Sequence, residues 1–311
     1  MIFGSKSIPF NPQKDIPSLE GKVILITGGN IGLGKQCVLE YARHKPALIW
    51  LAARNTEKAQ AAADEVRQEV PDAAIKLLEM DLSSLESVAT AARTVTADSD
   101  RLDILMLNAG VMATPPGLTQ DGYELQFGTN YVGHALLFKL LVPVLQKTTA
   151  LPDADVRVIV VSSHALVYAP KQGVVFDSLR SDADNLGAYG RYGQSKLAMV
   201  LWTRELGRKY PQFTLASIHP GVVQTNLFSG ATGSPMIIRV LAKVATSTCL
   251  LTPVDQGARN QLWASVSNDV KSGEYYEPVG IAGPASPLAE DDALAEKVWD
   301  WTEKELERFS V

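Results

Sequence analysis

Six short apolar runs, each followed by a longer amphipathic segment, leave this chain few folds to choose from. K-V-I-L-I-T (22–27), A-L-I-W-L-A (47–52), A-I-K-L-L-E-M (74–80), D-I-L-M-L (103–107), V-R-V-I-V-V (156–161) and F-T-L-A-S-I (213–218) read as strands. Their richness in branched aliphatics suits strands covered on both faces. Stretches 56–69, 84–97, 122–146 and 190–210 between them carry helical patterning. Strand, helix, strand, repeated, implies right-handed crossovers and an α/β architecture: a doubly wound parallel sheet with helices on both faces.

The length of 311 residues allows one large domain or two small ones, and no Pro/Gly/Ser-rich linker divides it, so a single domain is expected. Residues 226–252 form one long connection, including S-G-A-T-G-S-P and M-I-I-R-V-L-A-K-V-A. Connections this long inside a compact domain usually carry function. A lid over an apolar substrate is expected there, although an apolar stretch with two cations could also touch a membrane. From about 288 to 309 an acidic-first amphipathic helix should pack Val298, Trp299 and Leu306 on the body.

The net charge of −5, with 20% charged residues, argues against a nucleic-acid partner. Two cysteines, Cys37 and Cys249, make no disulfide framework and suit a reducing compartment. The start, M-I-F-G-S-K-S-I-P-F-N-P, does not resemble a signal peptide, and no apolar run reaches the length of a membrane span. A cytoplasmic protein is expected.

After the first strand comes T-G-G-N-I-G-L-G (27–34), then helical K-Q-C-V-L-E-Y-A-R. A glycine-rich turn there lets the backbone approach a pyrophosphate, and the helix start offers free N–H groups, so a Rossmann-type dinucleotide site is expected. Gly28, Asn30, Ile31, Gly32, Leu33 and Gly34 would line it. The second strand ends L-A-A-R-N, with Ala53 where an acid would hold a ribose 2′-hydroxyl and Arg54 next to it. An arginine can take a 2′-phosphate, so NADP(H) is expected over NAD(H). Asp81 and Leu82, after the third strand, are placed to meet the adenine, but Asp81 would equally cap the helix before S-S-L-E. Asn108, Ala109 and Gly110 form a small-residue passage after the fourth strand that suits the nicotinamide ribose.

Y-G-Q-S-K (192–196) puts a phenol and an ammonium one helical turn apart, where the cation should favour the phenolate and lower its pKa. Tyr41 and Lys45 share the spacing, but lie far along the first helix from its phosphate-binding end. Tyr192 and Lys196 instead follow V-V-S-S-H-A, whose strand end is the ligand-binding edge of such sheets. A serine hydroxyl there can donate to a substrate carbonyl. His44, His134, His164 and His219 have no carboxylate or cysteine partner at ligand spacing, so no metal is expected. His164 could line the pocket, and Phe228, Met236 and Ile237 are candidate substrate contacts.

T-G-G-N-I-G-L-G, N-A-G, S-S, Y-G-Q-S-K and P-G-V-V-Q-T, in this order, resemble the short-chain dehydrogenase/reductase family over roughly residues 20–285. The resemblance implies a catalytic set of Asn130, Ser163, Tyr192 and Lys196, with Ser162 as the fallback serine. It gives Asn130 a part in a water-linked proton path, Tyr192 and Lys196 contacts to the cofactor with Lys196 anchoring the nicotinamide ribose, and Pro220, Gly221, Val223 and Thr225 contacts to the nicotinamide. Between Ser163 and Tyr192 lie 28 residues, more than the family's commonest pattern. The extra stretch is similar to the branch holding retinol dehydrogenases and WW-domain-containing oxidoreductases.

The implied function is NADPH-dependent reduction of a ketone or aldehyde on a fairly apolar small molecule, reversible as an alcohol dehydrogenase. An NADP(H)-sensing regulator without turnover and an NAD-linked secondary-alcohol dehydrogenase are the alternatives. Family members often form dimers or tetramers through the helices at 122–146 and 190–210. The apolar L-L-F-K-L-L-V-P-V-L stretch permits a homo-dimer or homo-tetramer here but would serve equally as core.

Overall fold

The strands are β1 Val23–Thr27, β2 Leu48–Ala53, β3 Ile75–Glu79, β4 Ile104–Leu107, β5 Arg157–Val161, β6 Thr214–Ile218 and β7 Glu274–Tyr276. All pair in parallel, in the order β3-β2-β1-β4-β5-β6-β7. The computed structural model describes residues 7–223, 231–233, 252–283 and 286–309. Thr225, Phe228, Met236, Ile237 and most of the 226–252 connection lie outside the described residues.

Helices α1 Pro12–Asp15, α2 Gly32–Ala42, α3 Thr56–Glu69, α4 Leu85–Asp98, α5 Leu125–Phe127, α6 Gly133–Thr149, α7 Gly187–Lys209, α8 Val254–Gly257, α9 Arg259–Ala264 and α10 Asp292–Glu305 complete the order. Each strand alternates its side chains between two cores. Leu25, Trp50, Leu105 and Val158 face α4, α6, α7 and α10. Ile24, Ile26, Ile49, Met106 and Ile159 face α2, α3 and α9. At about 1.5–3 kcal/mol for each fully buried aliphatic side chain, this double burial is what makes the strand runs continuously apolar.

Two departures from the sequence expectations bear on function. The segment expected as one helix over 122–146 is α5, a five-residue π-helical turn at Gly128–Val132, and α6. Such turns gather at functional sites, and this one holds Asn130. β7 went unforeseen because three residues carry no usable periodicity. The apolar stretch in α6 is core: Leu136, Leu137, Phe138, Leu141, Val144 and Leu145 are buried within the chain itself. α10 docks on the same side, with Trp301 edge-on to Phe127 and the Tyr131 hydroxyl 2.6 Å from Thr302 Oγ1. An interface through this stretch therefore draws no support from its apolar character. Among the described residues no helix is long and apolar enough to cross a membrane.

Candidate active site

The glycine turn sets the first half of the site. Gly28 and Gly32 adopt φ of +67° and +54°, which only glycine takes without strain, and bend β1 into α2. A Cβ on Gly34 would lie 2.2 Å from the Gly28 carbonyl oxygen, so the helix rests directly on the strand end. The N-cap of α2 is Ile31, half exposed and with no side-chain cap hydrogen bond. The first-turn N–H groups are thus left to an anion, a fit to the pyrophosphate of a dinucleotide. Arg54 is exposed at the end of β2 and has no ion-pair partner among the described residues. Asp81 does not cap α4: Ser84 does, and Asp81 Oδ1 instead accepts from Ser83 N and Oγ at 2.9 and 2.7 Å.

Asn108, Ala109 and Gly110 leave β4 under tight control. The Thr27 hydroxyl accepts from the N–H groups of Asn108 and Ala109, both at 2.9 Å. It must then donate to His134 Nε2, also at 2.9 Å. His134 Nδ1 donates to the Asn130 carbonyl at 2.7 Å, since a carbonyl only accepts. Burial pushes His134 down to about 3, so the ring is neutral. This histidine, satisfied in the core as its isolation in the sequence suggests, connects the strand-4 passage to the π-helical turn.

At the edge of β5 the two serines separate in role. Ser162 Oγ donates to the Lys196 carbonyl at 2.8 Å and is buried, which removes it as the candidate. Ser163 is partly exposed, accepts from Ala165 N at 3.2 Å and hydrogen-bonds to Tyr192. The residues between Tyr192 and Lys196 each have a task. A Cβ on Gly193 would be 2.6 Å from Ala169 N, so glycine lets the segment after Ser163 lie on α7. Gln194 Oε1 accepts from Val175 N at 2.8 Å, and Ser195 Oγ accepts from Asn130 Nδ2 at 3.0 Å. Asn130 also pairs with the backbone of Val111, accepting at 2.8 Å and donating at 3.0 Å, so its side chain ties the β4 exit to α7. Next to Tyr192, Arg191 is buried against Glu124 at 3.4 Å and donates to the carbonyls of Thr114 and Pro115.

The electrostatics reverse one expectation. Burial pushes Tyr192 up to about 12, with the Ser163 hydrogen bond opposing it, and Lys196 contributes no resolved pull. The Lys196 ammonium lies 5.8 Å from the Tyr192 ring centroid but donates to the Val161 carbonyl at 2.8 Å. Burial brings Lys196 itself down to about 7. A Cβ on Gly110 would stand 3.1 Å from Asn130 Oδ1 and 3.7 Å from Lys196 Nζ, so glycine keeps open the approach to the ammonium. The second Y-x-x-x-K pair is structural: Tyr41 is fully buried, donates to Ser265 Oγ at 2.6 Å, and Lys45 lies past the end of α2.

Pro220 and Gly221 follow β6, and Val223 is buried and bridged to Thr252, so the long connection leaves and returns at one point of the sheet edge. Met112, Ala113 and Ala231 pack with Tyr192 in a small apolar cluster. His164, with no carboxylate at ligand spacing in the sequence, finds one through the fold: its Nδ1 donates to Glu277 at 3.1 Å, a partner 113 residues away.

The chain matches the family model described as short chain dehydrogenase over residues 22–233. It is 38% identical to an uncharacterised oxidoreductase of Schizosaccharomyces pombe over 301 residues, covering 94% of this chain and 87% of that protein. It is 35% identical to human retinol dehydrogenase 13 over 288 residues, 91% of this chain and 83% of the relative, which agrees with the branch suggested by the insertion. A crystal structure of an uncharacterised protein from Mycobacterium Paratuberculosis superposes with a TM-score of 0.72 at 28% identity, covering 94% of this chain and 96% of the other. The sheet order, the glycine turn and these likenesses agree: the chain belongs to the short-chain dehydrogenase/reductase family of oxidoreductases.

Proposed function

We propose that this protein is an NADP(H)-dependent reductase of ketones or aldehydes, reversible as an alcohol dehydrogenase, acting on a small molecule with an apolar body. The observation that carries this reading is the meeting of Ser163, Tyr192 and Lys196 at the carboxyl edge of β5, beside the open approach at Gly110. Gly28 to Gly34, Asp81, Leu82, Asn108, Ala109, Gly110, Pro220, Gly221, Val223 and, outside the described residues, Thr225 would hold the dinucleotide. Arg54, exposed and without an ion-pair partner among the described residues, favours a 2′-phosphate. When bound, a nicotinamide supplies the chemistry of hydride transfer to carbon.

The residues supply the rest. Ser163, whose hydroxyl hydrogen-bonds to Tyr192 here, would turn that proton to the carbonyl oxygen of a bound substrate. Tyr192, kept as the neutral phenol by burial, is set to protonate the alkoxide as it forms. Lys196, brought to about 7, can take up or release a proton near neutrality and recharge the phenol. Asn130 ties Ser195, the residue before Lys196, to the Val111 backbone and so fixes α7 against the exit of β4. The apolar cluster of Met112, Ala113 and Ala231 around Tyr192, and exposed Val167, Tyr168 and Val222, support an apolar substrate. The acidic composition and the free, buried Cys37 agree with a reducing, cytoplasmic setting.

The test is steady-state NADPH oxidation over a panel of aromatic and aliphatic ketones, wild type against Tyr192→Phe. Turnover by the wild type alone supports the reductase. Negligible consumption by both, with intact NADPH binding, would make the protein a dinucleotide sensor.

A further inference from the structure

Three neighbouring strands end in polar residues that converge outside the network described above. His164 lies just past β5, His219 directly follows β6, and Glu277 directly follows β7. His164 Nδ1 donates to the Glu277 carboxylate at 3.0 and 3.1 Å to its two oxygens, and His219 Nε2 stands 4.0 Å from Oε1. The two imidazole centroids are 6.1 Å apart. The Tyr275 hydroxyl donates to Glu277 Oε2 at 2.7 Å.

The location is informative. The carboxyl edge of a doubly wound sheet is its ligand-binding edge, and the glycine turn takes the β1 side of it. The cluster lies on the opposite side of β5, beside the chemical groups: His164 directly follows Ser163, and Ala165 packs against the apolar group around Tyr192.

The cluster's chemistry is one-sided. A carboxylate only accepts, and two donors leave about half of its roughly four acceptor positions free. Its side chain is 20% exposed, so those positions are reachable. Burial pushes His219 down to about 4, so it brings no charge at neutral pH, and its Nδ1 has no partner among the described residues. The cluster therefore offers acceptor atoms and a negative charge, and Ala165, the residue after His164, packs against the apolar group of Met112, Ala113 and Tyr192.

We propose that Glu277, oriented by His164 and Tyr275, forms a substrate subsite that takes a hydroxyl group carried by the carbonyl substrate and turns away carboxylates. This rests on the reductase reading and names its substrate class: hydroxy-ketones or hydroxy-aldehydes with an apolar body. A charge-assisted hydrogen bond to a substrate hydroxyl is worth roughly 10- to 100-fold in kcat/KM.

The test compares methyl ketones of matched chain length ending in methyl, hydroxymethyl or carboxylate, for wild type, Glu277→Gln and His164→Phe. Melting-temperature shifts of the NADP⁺-loaded proteins with the corresponding alcohols give a readout independent of turnover. The expected result is at least tenfold preference for the hydroxymethyl ketone over the methyl ketone at one chain length, with the carboxylate worst. That preference should collapse in both variants while the NADPH dissociation constant stays within twofold. Equal use of the methyl and hydroxymethyl ketones, or a preference unchanged in the variants, overturns the subsite and leaves the reductase standing. If no ketone is reduced but hydroxyl-bearing ligands stabilise wild type and not the variants, the subsite stands and the reductase reading falls. No reduction and no differential stabilisation overturns both. Should Glu277→Gln fail to fold, His164→Phe, at a side chain 32% exposed, carries the comparison.

Discussion

Gly34→Ala tests the cofactor turn directly. The added Cβ would sit 2.2 Å from the Gly28 oxygen, 2.7 Å from Asn108 Nδ2 and 2.9 Å from the Gly28 carbonyl carbon. A relaxed carbon contact needs roughly 3.5 Å, so the third residue of α2 must retreat by about 1.3 Å, the difference from 2.2 Å. Neither neighbour can yield cheaply. Gly28 N is bonded to the Ala52 carbonyl at 2.8 Å, and the Asn108 amide donates to the Thr27 carbonyl at 2.9 Å. Overpacking of this kind costs about 1–3 kcal/mol, or roughly 2–10 °C in Tm at this chain size. The same retreat carries the first-turn N–H groups away from a phosphate, so NADPH affinity should fall about 5- to 150-fold, the equivalent of that energy. The assay is NADPH titration by tryptophan fluorescence alongside thermal melting. Gly190→Ala is the control: its Cβ would meet Leu186 Cβ at an ordinary 3.5 Å within α7, and should gain up to about 1 kcal/mol. A Gly34→Ala protein that binds NADPH within twofold of wild type and melts at the same temperature would refute the close-approach argument.

Other outcomes follow from the same geometry. Tyr192→Phe should lower kcat about 10²- to 10⁴-fold with NADPH affinity within threefold, so a parallel loss of both would contradict its assignment as proton donor. Burial lowers Lys196 from 10.5 to about 7, so from pH 7 to 10.5 the unfolded chain binds more protons there than the folded one. The burial penalty is fully present below pH 7 and fades as pH rises, making this side chain's contribution to stability increase with pH. Chemical denaturation from pH 6 to 10 should show that slope flattened in Lys196→Met, and an identical slope in the variant would disprove it. Arg54→Ala should reduce the NADPH/NADH affinity ratio at least about tenfold, and an unmoved ratio removes the 2′-phosphate contact. Arg191→Met strands buried Glu124 and should cost about 3–5 kcal/mol, with much of it restored by adding Glu124→Gln, whereas additive losses would show no coupling between the two.

Much of the scaffold could be read from the chain because burial on both sheet faces writes continuous apolar runs into it. α3 falls at 56–69 as the periodicity requires, since Asn55 caps it by accepting from Lys58 N. The missing parts have physical causes. Three residues of β7 hold no pattern, and the π-helical turn depends on where the Asn130 carbonyl finds His134 rather than on helix propensity. The choice between Ser162 and Ser163 follows from one contact to the Lys196 carbonyl. The Tyr192–Lys196 spacing was legible, but its electrostatics were not, because desolvation is set by everything packed around the pair. Glu277 escaped notice because its partner is 113 residues distant and only the sheet brings the ends of β5 and β7 together.

The bridge between Val223 and Thr252 separates two kinds of sequence freedom. Everything from the glycine turn to Lys196 hangs from strand ends and the buried half of α7, whereas the described parts of the long connection meet that framework at the bridge, at Ala231 beside Tyr192, and at Gly233, whose N–H donates to the Ala113 carbonyl at 2.9 Å. An exchange that keeps Ala231 and Gly233 in place would leave the hydrogen bonds of Asn130, Ser162 and Lys196 as they are. Relatives could thus diversify in what they admit while retaining one way of handling it, and a designer could graft a foreign loop between those two residues provided that it restores the small residues resting on Tyr192 and Ala113.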